Sequence, residues 1–121
     1  MEANELVMGW LIWHQAVKYI QHDLAKVESL DLKIPNLGMA LLRQVGSLAF
    51  KKKQEAAKEL QSKGIRVVKE KNENSEVLIA WAKRGQVDIL CVHELTLQQE
   101  GQGRIEELME NIVEVKRSLS I

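Results

Sequence analysis

Seven apolar residues near the start of the chain, Leu6, Trp10, Trp13, Val17, Ile20, Leu24 and Val27, follow one another at steps of four and three. On a helix that spacing lines a single face, and Gln15, Lys18, Asp23 and Lys26 fall opposite it. The pattern predicts an amphipathic helix over about residues 4–29. A chain of 121 residues with such a helix at its start must supply an apolar layer for it to lie on. The rest of the sequence is read for that layer.

Leu32-Lys33-Ile34-Pro35 breaks the first helix, because proline has no N–H to donate and suits the first turn of a new helix. A second helix is expected from Pro35 or Asn36, with Leu41, Leu42, Val45, Leu48 and Ala49 on its apolar side. Lys63-Gly64 reads as its stop, a cation followed by a left-handed glycine cap. Gly38 and Gly46 inside it each cost about 1 kcal/mol of helix propensity and either mark close approach of a neighbouring backbone or are merely tolerated. Beyond a turn expected over "QQEGQGR" (98–104), Ile105, Leu108, Ile112, Val115 and Leu119 mark a last helix.

The third quarter forks. "IRVVKEK" (65–71) and "QVDILCVHE" can be short strands around a helix capped by Asn74 or Ser75. Alternatively, Leu78, Trp81, Gly85, Ile89, Val92 and Leu95 sit at helical spacing, and 75 to about 98 is one helix. The strand reading needs a further strand to make a stable sheet, and none stands out. The sequence therefore favours an all-α, antiparallel four-helix bundle over residues 1–121. The alternative is an α+β fold with short strands near 65–71 and 87–93.

The order of a long first helix, the "LDLKIP" break, a second helix into "SKGIRVVKE" and a helix pair after it resembles the YhjD-like small helical proteins of Bacillus-type bacteria. The resemblance spans about residues 15–115 and is carried by Leu32, Lys33, Pro35, Gly64-Ile65 and Val67. It implies the all-helical branch of the fork in a bacterial protein. It brings no catalytic motif and no activity.

Charge and chemistry narrow the function. The formal net charge is zero, which gives no global pull toward nucleic acid or anionic lipid. Locally, residues 48–71 hold eight cations and three acids, whereas 73–121 hold five cations and nine acids. Those segments can pair within the chain or across a dimer, and a dimer is the preferred use. The alternative partner for Lys51, Lys52, Lys53, Lys58, Lys63 and Arg66 is a nucleic acid. Against it, consecutive lysines fan around a helix axis, acids at helical spacing can pair with them, and Phe50 is the lone ring nearby.

Metal, cofactor and catalytic sites are not expected. A di-iron bundle needs paired Glu-x-x-His units, which this sequence lacks. His14, His22 and Asp23 read as surface or seam-edge groups, and "GQGR" lacks the strand that a phosphate loop follows. Cys91 among Ile89, Leu90 and Val92 reads as a small core residue. Cys91 and His93 share a face only on a strand.

A lone cysteine cannot staple the fold and fits a reducing cytoplasm. The apolar run Leu6–Trp13 falls short of the roughly 20 residues that span a bilayer. Glu2 and Glu5, with no lysine or arginine ahead of that run, argue against a secretory signal and against anionic lipid. Trp10, Trp13 and Trp81 read first as core anchors, and the alternative makes Trp10 and Trp13 the anchors of a protein interface. The sequence thus points to a non-enzymatic, self-associating interaction or adaptor protein.

Overall fold

Two pairs of residues with positive φ decide the architecture: Asn74 (53°) with Ser75 (64°), and Arg84 (51°) with Gly85 (79°). Two left-handed residues in succession form the turn whose twist matches a tight hairpin. The chain therefore reverses twice within 29 residues, giving β1 (Ile65–Glu73), β2 (Glu76–Lys83) and β3 (Gln86–His93). They form an antiparallel three-stranded sheet in the order β1-β2-β3. Around it run three helices, α1 (Glu2–Glu28), α2 (Pro35–Ser62) and α3 (Glu94–Leu119). This computed structural model describes the backbone of residues 2–28 and 35–119, and the side chains of 2–26 and 39–112.

The fold is α+β, so the expected all-α four-helix bundle is wrong, and the helical reading implied by the family resemblance falls with it. The expected helix over 75–98 is two strands, a turn and the start of α3. Its supposed seam is divided between the two sheet faces: Trp81 and Val92 are buried inside, whereas Ile89 is exposed outside. The alternative strands near 65–71 and 87–93 exist. The missing third strand lay in "EVLIAWAK", taken in both readings as helix. Alternation marks it: Val77, Ile79 and Trp81 are buried while Leu78, Ala80 and Ala82 are only half-buried. Asn74 and Ser75 are turn residues and not a helix cap.

α1 joins two clusters. Its first half, through Val7, Leu11 and Ile12, packs on Val77, Ile79, Trp81 and Val92 of the sheet and on Leu60 and Leu97. Its second half, through Val17 and Ile20, packs on Val45 and Ala49 of α2 and Leu108 and Ile112 of α3. Each such aliphatic side chain stabilises the fold by about 1.5–3 kcal/mol. Trp81 closes the sheet side, and its indole Nε1–H donates to Asn4 Oδ1 at 3.1 Å. The Trp10/Trp13 seam is one wall of this wider buried surface, since Val7, Leu11 and Ala16 outside the seam are 0% exposed.

The expected turn over 98–104 is also overturned, because those residues are helical. Gly101 lies where α3 crosses α1, and a Cβ there would sit 3.7 Å from the Ala16 Cβ, an ordinary contact distance. Gly101 and Gly103 each cost about 1 kcal/mol of propensity without ending the helix. In α2, a Cβ on Gly46 would come within 3.2 Å of Ile20 Cγ2, a close approach by a side chain instead of the expected backbone. The expected stop of α2 is present: Lys63 N–H reaches Glu59 and Leu60 carbonyls, and Gly64 has φ 72°. Pro35 is the first residue of α2, while residues 29–34 of the expected break lie outside the described residues. The same holds for the side chains of Val27, Gly38, Val115 and Leu119.

Ser75 is a side-chain-bearing residue held left-handed, which costs roughly 1–2 kcal/mol. Ser75→Gly is expected to raise unfolding stability in urea by about 0.5–1 kcal/mol once the added chain entropy is subtracted. Were residue 75 a helix cap, the same change would cost a few tenths of a kcal/mol.

Candidate interaction surface

The register of β1 on β2 slips once. Val67 lies opposite Trp81 and Lys69 opposite Ala80, so Val68 is an extra residue, a β-bulge. Before it, Ile65 and Val67 face α1. Without the bulge, strict alternation would turn Lys69 and Lys71 to the same side. With it, Glu70 takes the inward position opposite Ile79.

Glu70 meets three side chains of α1. One oxygen, Oε2, lies 3.1 Å from His14 Nε2, and the other, Oε1, accepts from Gln15 at 3.2 Å and from Lys18 at 3.4 Å. Gln15 and Lys18 are on the face that the sequence pattern assigned to solvent, yet Gln15 is buried. His14 also stacks on Trp10, with ring centroids 4.6 Å apart at 15°. Burial lowers the His14 pKa more than the Glu70 bond raises it, so the ring is neutral at pH 7. Its Nε2 then carries the hydrogen toward the carboxylate, and Nδ1 is a buried atom with no partner. Burial alone would raise the Glu70 pKa, but the bonds from His14 and Lys18 together hold it below its ordinary value.

The opposite face of the sheet is different. No described element covers it. Leu78, Ala80 and Ala82 of β2 lie beside Cys91, Ile89 and Val87 of β3. Val87 and Ile89 are 68% and 62% exposed, among the largest values for big apolar side chains here. Arg66, Lys69 and Lys71 of β1 flank this apolar strip, opposite Ala82, Ala80 and Leu78.

Cys91 and His93 sit on this face and Asp88 on the other, opposite Trp81, each with a local partner. Cys91 is exposed, not in the core as expected. Its thiol bonds to the Glu76 carboxylate, which raises the Cys91 pKa and so disfavours the thiolate. His93 shares that face, and its Nδ1 accepts the Leu95 N–H at 3.1 Å, tying down the start of α3. Asp88 Oδ1 accepts the N–H of Ile89 at 2.8 Å. Among the described residues no group of three or more His, Cys, Asp or Glu is placed to hold a metal.

The other residues singled out from sequence are dispersed. Trp10 and Trp13 are half-buried, one against each core cluster. Trp10 also lines an open groove of about 540 Å³ with Leu60, Ile65, Arg66 and Val67. Lys51, Lys52, Lys58 and Lys63 are exposed on or just after α2, Lys53 is half-buried, and Arg66 is exposed on β1. Lys52 pairs with Glu55 at 3.9 Å, and Lys53 sits 6.0 Å from the Phe50 ring centre. Lys71–Glu73, at 3.1 Å, is a contact between the oppositely charged segments, made inside one chain. His22 and Asp23 are exposed and 3.5 Å apart. Glu70 and the apolar outer face were missed from sequence; the signal for the face was the uninterrupted apolar run "VLIAWA", which makes a strand apolar on both sides.

These features define a small α+β domain, an antiparallel meander laid on a helical layer with its outer face open. The chain belongs to the YhjD family, whose sequence model matches residues 1–113. No curated protein and no solved structure matches it. Among the described residues no helix is long and apolar enough to cross a membrane.

The Glu70 cluster sets a pH dependence. The folded chain protonates His14 at lower pH than the unfolded chain, which does so near 6.5. As pH falls through that value the unfolded state binds the proton first and stability is lost. Glu70 adds a second loss in the same direction as pH falls below about 4.3. Urea unfolding from pH 7 down to about 2.5 is expected to show both. His14→Gln, which keeps a donor for Glu70, should remove the loss that begins near pH 6.5 and leave the lower one.

Proposed function

We infer that this chain is a non-enzymatic protein-interaction domain of the cytosol, acting by self-association or as an adaptor. Its docking surface is the outer face of the sheet. The observation that carries this reading is the exposure of Val87 and Ile89, at 68% and 62%, within a continuous apolar strip. Isolated exposed apolar residues are ordinary, but contiguous ones rimmed by charge mark contact sites. The cations of β1 give that strip a charged border, which suits specificity more than raw affinity. Trp10 and Trp81 support this role from beneath, as packing for the layer under the sheet.

The test is a photoreactive amino acid in place of Ile89 in the full chain, expressed in cells, with the same residue in place of Gln54 on α2 as control. Protein adducts from position 89 and not from position 54 are expected. Absence of protein adducts at 89 sinks the reading. Nucleic-acid adducts confined to position 54 and lost as salt rises would move the function to the basic segment 51–71.

A further inference from the structure

We propose that a second copy of the chain pairs with the β3 edge of this surface about a two-fold axis, so that two meanders form one six-stranded sheet and their apolar strips join side by side. The proposal rests on the outer sheet surface being a protein-binding one.

The hydrogen-bond phase of β3 comes first. A two-residue turn at Arg84-Gly85 makes Lys83 and Gln86 the closing, hydrogen-bonded pair. Alternation then makes Trp81–Asp88, Ile79–Leu90 and Val77–Val92 the bonded pairs. The N–H of Glu94 to the carbonyl of Ser75, at 2.9 Å, continues the same phase. Val87, Ile89, Cys91 and His93 therefore turn their amides and carbonyls away from β2. No described strand covers that edge.

The two edges of the sheet are guarded unequally. β1 has a bulge at Val68 and carries Arg66, Lys69 and Lys71, the usual devices against unwanted pairing. β3 keeps an unbroken register with β2 over all eight pairs and has no lysine, arginine or proline. Between Val87 and Val92 its one charge is Asp88. A flat apolar edge of this kind is a template for another strand.

Self-complementarity selects a second copy. With the two-fold axis at Leu90, Ile89 lies opposite Cys91 of the second copy, Val87 opposite its His93, and Asp88 opposite its Val92. No pair of like charges is brought together. The same operation on β1 would set lysine against lysine. In the lone chain, Asp88 occupies the Ile89 N–H; pairing replaces that bond with a ladder bond, and the carboxylate returns to water. An edge of this length buries less than the roughly 1,200–2,000 Å² of a lasting interface. Monomer and dimer therefore exchange.

The experiment is light scattering and sedimentation of the full chain over about a hundredfold range of concentration, with hydrogen exchange at both ends of that range. The mass is expected to rise toward twice the monomer, and to do so equally at low salt and at about 0.5 M salt, where surface charges are screened. The Val87 and Cys91 amides should become protected at the high end. Ile89→Lys should leave the circular dichroism unchanged and hold the chain monomeric, whereas Lys69→Ala should leave the dimer intact. A dimer without protection of those amides overturns edge pairing. A chain that stays monomeric throughout overturns it too. If position 89 still yields adducts with a different protein, the interaction reading survives without self-pairing; if it yields none, both fall.

Discussion

One misplaced residue in a strand organises this molecule. Val68 is the extra residue of β1, and the slip it causes turns Glu70 instead of a lysine toward α1. The carboxylate then meets His14, Gln15 and Lys18 along that helix. Apolar packing alone would let the sheet slide over α1, because burial is proportional to area and indifferent to direction. A partly buried carboxylate with several directed donors is not indifferent. Charge-assisted hydrogen bonds are shorter and roughly twice as strong as neutral ones, and an unmet carboxylate in this position is expensive. The bulge thus sets the register, and the register holds the sheet where Val77, Ile79 and Trp81 meet Val7, Leu11 and Ile12.

The helices were legible because each carries its signal locally. Steps of four and three gave α1 within two residues at its start, and Lys63-Gly64 gave the end of α2. The sheet was not legible in the same way. Leu78, Trp81, Ile89 and Val92 fit a helical period by coincidence, since β2 is rich in apolar residues on both faces. The deciding signals were Asn74-Ser75 and Arg84-Gly85, and neither is the Asn-Gly pair that announces a tight hairpin. A serine and an arginine at positive φ are poor sequence signals, because the strand pairing holds them there against their preference. "QQEGQGR" misled because Gly101 and Gly103 lower helix propensity without ending α3.

The candidate site was least legible of all, and for a physical reason. Reading charges by number treats Glu70 as one acid among eight cations of segment 48–71. Its partners are 52–56 residues away, and a bulge decides whether it faces them. Trp10 and Trp13, read as core anchors or interface anchors, are half-buried against the two core clusters. Exposure fell instead to Val87 and Ile89, which no periodicity distinguishes from core residues.

The open strip and the buried pin are consequences of a single economy of layers. A three-stranded meander has two faces, and the described helices cover one. The inner face takes α1 and, through Glu70, a fixed register. The outer face keeps apolar side chains on β2 and β3 while β1 carries cations. A chain selected only for solubility would put polar residues along all three strands, as half-solvated antiparallel sheets do. Here the polar guard is confined to β1, the strand whose bulge already resists pairing. The asymmetry lies across the sheet, from a guarded edge to an unguarded one. That is the arrangement expected when one edge must be left alone and the other must be met.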